Sequence, residues 1–125
     1  MATIDVDTTT FDPTELQRLL DGRYAGLRAV IREAMSRPEF APVVEISREE
    51  YRAKVMDWAR SLADAGMTAP GFPVEYGGEG DFGANVAGFE TIAFGDLSLL
   101  VKFGVQFGLF GGAVQQLGTA QHHER

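Results

Sequence analysis

An all-α domain is what this sequence predicts, and three observations carry that reading. Apolar residues recur at helical spacing through long segments, and two of those segments open on capping signatures. No stretch alternates apolar and polar residues long enough for a convincing strand, apart from a weak Pro-Val-Val-Glu-Ile run at 42–46. The chain has 125 residues, 45% of them hydrophobic and 23% charged, which suffices for one core and not for two.

Each helix has its own warrant. Asp12 stands as an N-cap before Pro13 at the first helical position, with Glu15 three residues past the cap. Leu16, Leu19, Leu20, Leu27, Val30, Ile31 and Ala34 carry one helical pattern onward until Pro38 denies its predecessor helical geometry, while Gly22 and Gly26 loosen the middle. After an extended connector, Ser47 and Glu50 form a second capping box. Tyr51, Val55, Trp58, Leu62 and Ala65 then make an apolar stripe opposite Arg48, Glu49, Arg52, Lys54, Asp57 and Arg60, as expected of an amphipathic core helix with a solvated charged face. Gly66 stops it. A loop leads to a helix from near Ala84 to Phe94, after which Gly95 breaks the chain and Asp96 caps a longer helix over Leu97 to Leu117. Gly118 ends that helix, and Thr119 caps a last one too short to be stable alone, so the chain reads as the first piece of a longer one. Residues 1–11 read as a flexible N-terminus and 12–125 as the helical domain.

Charge and composition exclude several functions. A formal charge of -7 makes nucleic acid or an anionic membrane an improbable partner, because the average surface repels both. Without cysteine there is no disulfide, thiolate nucleophile or thiolate metal site. The first residues, MATIDVDTTTFDP, have no basic segment leading into an apolar one, so the expected location is cytoplasmic. His122 and His123 are neighbours that point about 100° apart on a helix and cannot share one metal, so they read as surface histidines. No Ser-His-acid set or carboxylate pair stands out for catalysis.

The loop VEYGGEGDFG contains Gly78-x-Gly80-x-x-Gly83, the spacing of a dinucleotide-binding turn. Such a turn needs a buried parallel strand before it, and the short GFPVEY segment carries Pro73, which cannot donate to a central ladder. Glu79 and Asp81 would also repel a pyrophosphate. The glycines are therefore expected to permit positive φ in a tight reversal rather than to cradle phosphate.

The segment Leu97 to Leu117 is apolar nearly all round, as expected of a helix buried on every side in a larger body. Its Gly104, Gly108, Gly111 and Gly112 each cost about 1 kcal/mol of helix propensity, which something must offset. Gly104, Gly108 and Gly112 share a flank where a helix or a flat ligand could approach the backbone. Phe103, Phe107, Phe110 and Val114 form an aromatic stripe that fits either core packing or a pocket wall, and Gln106, expected to be buried, favours a pocket where polar groups converge. Lys102 and the paired Gln115 and Gln116 argue against a membrane span.

From Gly66 to Arg125 the chain resembles the acyl-CoA dehydrogenase and oxidase superfamily, and is more similar to the oxidases. The residues that carry this are the Pro73-Val-Glu-Tyr-Gly-Gly-Glu-Gly80 loop, the Asp96-Leu-Ser-Leu99 helix entry, the Gly104-Val-Gln106 turn and the Gly118-Thr-Ala-Gln-His-His-Glu124 exit. The resemblance implies the N-terminal α-helical domain of that fold, with a β-barrel-like middle domain and a C-terminal four-helix domain following it in the family. It implies an FAD enzyme that removes the α-proton of an acyl-CoA with a carboxylate and passes the β-hydride to flavin, giving a trans-2-enoyl-CoA. In the oxidases the electrons go on to oxygen, forming hydrogen peroxide. The base and most FAD contacts belong to the other domains, so no catalytic or cofactor residue is carried over. Matching through Gly-Val-Gln places Gln106, Phe110, Gly111 and Val114, with Phe107 of the same stripe, on the wall of the acyl-chain cavity. The implied partners are an acyl-CoA substrate, the remaining domains and further copies in a dimer or tetramer. A free-standing helical subunit that docks on another chain is the alternative.

Overall fold

The computed structural model describes residues 11–123, so the expected flexible N-terminus lies outside it apart from Phe11, as do Glu124 and Arg125. Among the described residues six helices follow one another: α1 Pro13–Asp21, α2 Ala25–Met35, α3 Arg48–Asp64, α4 Phe82–Ala93, α5 Leu97–Leu117 and α6 Ala120–His123. Short 3-10 turns lie at Gly22–Tyr24, Pro38–Phe40 and Val74–Tyr76, and no strand occurs among the described residues.

The expected caps are in place. Asp12 accepts from the Thr14 amide at 2.8 Å, and Ser47 and Glu50 close a reciprocal capping box at 3.2 and 2.8 Å. Asp81 caps α4 through Ala84 N at 2.9 Å, and Asp96 caps α5 through Leu99 N at 2.8 Å. Both of these carboxylates also join elements. Tyr24 donates its hydroxyl to Asp81 at 3.0 Å, and Tyr51 of α3 donates to Asp96 at 2.7 Å. Each cap thereby fixes the start of its helix against a neighbour.

The core forms where α2 packs on α4, α3 on α5 and α4 on α5. Ile31, Leu62, Ile92, Leu99 and Phe103 are fully enclosed, and Phe40 stacks on Trp58, whose indole N–H donates to the Glu39 carbonyl. Burying each such large side chain contributes about 1.5–3 kcal/mol, so this cluster dominates the stability of the fold. Val55, Trp58 and Leu62 of the α3 stripe are buried, Tyr51 is half-buried, and Ala65 is exposed just past the helix end.

Three expectations change. The first helical pattern is two helices, because Gly22 takes φ 56 and ends α1, while Gly26 is helical within α2. The Pro42–Ile46 run is not a strand, since Pro42 lacks an N–H and no other strand is present among the described residues to pair with it. Most consequentially, α5 is not buried on every side. Leu99 and Phe103 sit in the core, but beyond Phe103 the helix runs past the edge of the body, with Leu109 72% and Leu117 85% exposed. At 21 residues and mean hydropathy 1.6, α5 is long and apolar enough to cross a membrane. Its first two turns nonetheless belong to the core shared with α3 and α4.

Candidate functional site

The glycine loop is a folded turn that consumes its own amides. Gly77 N donates to the Val74 carbonyl at 3.1 Å, Gly78 N to Pro73 at 3.0 Å, Gly80 N to Phe72 at 2.8 Å and Asp81 N to Pro70 at 2.9 Å. Gly77 and Gly80 take φ 85 and 68, as the expected reversal requires. Gly78 is needed for a different reason, since a Cβ there would lie 2.0 Å from the Phe72 carbonyl oxygen. With these donors engaged, the amides of Gly77, Gly78, Gly80 and Asp81 are not left to hold a pyrophosphate. The loop acts instead on the position of Phe72 and Tyr76.

Along α5 the backbone widens into a π-helical segment over Gly104–Phe110. Such segments are rare inside helices and concentrate at functional sites. The Phe89 ring of α4 lies against Gly104 and Gly108, where added Cβ atoms would sit 3.4 and 3.8 Å from it. The close approach anticipated on that flank is thus made by an aromatic ring of the chain itself at two of the three glycines; Gly112 faces open space. The widened turn was not foreseen, and the glycine spacing was its only sequence signal.

Phe103, Phe107 and Phe89 form a continuous aromatic cluster, with ring centroids 4.7 Å apart for Phe103 and Phe107 and 5.5 Å for Phe89 and Phe103. The stripe is therefore core at one end and wall at the other. Phe103 is enclosed, Phe107 half-buried and Phe110 62% exposed. At the exposed end, Gln106, Phe107, Phe110, Gly111 and Val114 all face one cleft of about 270 Å³. Phe72 and Tyr76 of the glycine loop and His122 and His123 of α6 complete it. The Phe72 ring rests directly on Gly111, where a Cβ would come within 2.7 Å of Cζ. Tyr76 stacks on His123 with centroids 3.9 Å apart and planes 8° from parallel, which ties the loop to α6.

Gln106 corrects one expectation. Its amide is exposed rather than buried, because α5 has left the core at that turn. Its place in the wall follows from position on the helix and not from a need to satisfy a buried polar group. His122 is exposed as expected, with the Thr119 amide donating to Nδ1 at 3.1 Å, whereas His123 is half-buried by its stack on Tyr76. No group of three metal-ligating side chains occurs among the described residues. Phe72 and Tyr76 are the wall residues that sequence reasoning missed, since only the folded loop brings them to α5. A larger hollow, about 860 Å³, lies between α3 and the start of α5 and shares no residue with this cleft.

The family described as acyl-CoA dehydrogenase, N-terminal domain, matches residues 25–125, so α1 precedes the matched region. Acyl-coenzyme A oxidase 2, peroxisomal, of Arabidopsis thaliana is 34% identical over 91 residues, which make up 72% of this chain and 12% of that protein. No solved structure matches the chain.

Proposed function

The chain belongs to the acyl-CoA dehydrogenase and oxidase superfamily as its N-terminal helical domain, and from that premise we propose that its cleft walls the acyl-chain cavity of an FAD-dependent acyl-CoA oxidase or dehydrogenase. One observation carries the reading. Five residues of α5, two aromatic rings of the glycine loop and the two histidines of α6 converge on one hollow at the edge of the fold. Its volume, about 270 Å³, falls just under the range for a complete small-molecule pocket, as suits one wall of a cavity closed by other parts of an enzyme.

In the proposed reaction a carboxylate outside this chain removes the α-proton of the thioester. FAD, the cofactor of the family, would supply the acceptor for the β-hydride when bound, and the product would be a trans-2-enoyl-CoA. The residues here do no proton transfer. Phe107, Phe110 and Val114 exclude water from the acyl tail and give it apolar contact, and the bulk of the Phe110 ring limits tail length. Holding the tail aligns the reacting carbons, which is where binding energy remote from the chemistry aids the rate. The matched relative is named as peroxisomal, which tells against a plainly cytoplasmic placement, and we propose a location with the acyl-CoA oxidation machinery.

A chimera tests this. This chain replaces the matched segment of the Arabidopsis oxidase, and turnover is measured across acyl-CoA chain lengths. Phe110→Ala in the chimera is expected to move the preference toward longer acyl groups with flavin content unchanged. An unaltered chain-length profile in an active, flavin-loaded chimera sinks the assignment of this wall.

A further inference from the structure

We propose that Phe89 of α4 is a positioning residue for acyl-chain selection: seated on the glycine flank of α5, it holds the widened turn that aims Gln106, Phe107 and Phe110 into the cleft. The inference rests on the acyl-cavity reading and gives that cleft a control outside its own wall, since Phe89 is not among the residues that line it.

A widened turn has to be held. Its hydrogen bonds reach one residue further than those of an α-helix, so it takes more residues per turn, and such turns are rare. Side chains that follow it are therefore rotated relative to those before it. On α5 the division between core and cleft falls at this place. Phe103, the residue before the Gly104–Phe110 segment, is enclosed, whereas Gln106, Phe107 and Phe110 within the segment and Gly111 and Val114 after it face the cleft. A return to regular α-helical spacing would wind the outer side chains round to another heading.

Phe89 is placed to prevent that return. Gly104 and Gly108 are the two glycines of the widened segment, and the Phe89 ring covers both: its Cε1 stands 3.4 Å from where a Cβ of Gly104 would be, and its Cζ 3.8 Å from where one of Gly108 would be. With no side chain at either position, the ring bears on the backbone itself. A second route runs through the rings, from Phe89 edge-on to Phe103 and from Phe103 to Phe107 of the cleft wall. The helix that carries Phe89 is itself fixed. Ala87, Thr91 and Ile92 of α4 are buried, Gly88 lies against Ile31 of α2, and Arg28 of α2 donates to Thr91 and Glu90. A ring on so rigid a support can set the path of the chain it rests on, and a smaller residue at 89 would leave the two glycines uncovered.

The test uses the flavin-loaded chimera and the ratio of kcat/KM for palmitoyl-CoA to that for octanoyl-CoA. Phe89→Leu is expected to raise this ratio at least threefold, as Phe110 turns out of the cleft, with flavin content unchanged. In a Phe110→Ala background the same substitution is expected to have no further effect on the ratio, because the ring it steers is gone. Should Phe89→Leu lose flavin, Phe89→Met, which keeps more of the bulk, carries the same measurement. An unchanged ratio in Phe89→Leu beside a shifted one in Phe110→Ala overturns this proposal and leaves the acyl wall standing. Unchanged ratios in both overturn the wall and this proposal with it. An equal shift with and without the Phe110 ring overturns it too, since Phe89 would then act by another route. Loss of flavin from both Phe89 variants counts the same way, because the ring would then serve the fold rather than selection.

Discussion

Asp21 shows how much one residue can hold. Helix α1 buries none of its side chains, so its attachment rests on this carboxylate at its last turn. Arg32 of α2 grips both Asp21 oxygens at 2.6 and 2.7 Å, Arg28 Nε stands 3.8 Å away, and Arg28 also reaches Thr91 and Glu90 on α4. The Arg32 hydrogen bonds hold the Asp21 carboxyl below its ordinary value of 3.8. A depressed native value means the stabilisation is fully present above that ordinary value and is lost as pH falls through the native one. Asp21→Asn is therefore expected to lower the melting temperature at neutral pH, with the gap from the parent chain narrowing once pH drops below 3.8. Parallel melting curves for the two proteins down to pH 2 would show that the contact adds nothing. A simpler case is Ser47→Ala, which removes the cap of α3 and is expected to cost about 1 kcal/mol in urea unfolding.

At the scale of elements, α5 concentrates what could be read in advance and what could not. Its start at Asp96, its length and its aromatic stripe were all legible, because capping and periodicity are local signals. The widened segment at Gly104–Phe110 and the exposure of Gln106 were not, because both depend on where α4 and the core end relative to the helix. The break at Gly22 was half-legible, since Gly22 and Gly26 look alike in sequence and only the turn into α2 distinguishes them. Two adjacent glycines make the same point as a prediction. Gly112 faces open space, so Gly112→Ala is expected to gain about 0.5–1 kcal/mol of stability from helix propensity. At Gly111 the new methyl meets Phe72 Cζ at 2.7 Å and must displace the ring. Gly111→Ala is expected to forfeit that gain, with an unfolding midpoint below that of Gly112→Ala. Equal midpoints would mean that Phe72 does not press on α5.

For the molecule as a whole, the aromatic stripe poses a question of division, since one row of rings is both core and cleft. Sequence spacing admits either role for every member, because a stripe facing a pocket has the same period as one facing a core. Only the packing of α3 and α4 decides where the body stops, and it stops between Phe103 and Phe110. That boundary has an energetic signature. Phe103 is 1% exposed and touches the rings of Phe89 and Phe107, so Phe103→Ala leaves a cavity at the centre of the fold and is expected to cost about 3–5 kcal/mol. Against a total stability of about 5–15 kcal/mol for a domain, such a loss is a large share or the whole. Phe110 is 62% exposed, and Phe110→Ala is expected to change stability by no more than about 0.5 kcal/mol. Urea titration of both variants measures the difference directly. Should Phe110→Ala destabilise as strongly as Phe103→Ala, the outer rings would be core like the inner ones, and the hollow between Phe72 and Val114 would have no claim to hold a ligand.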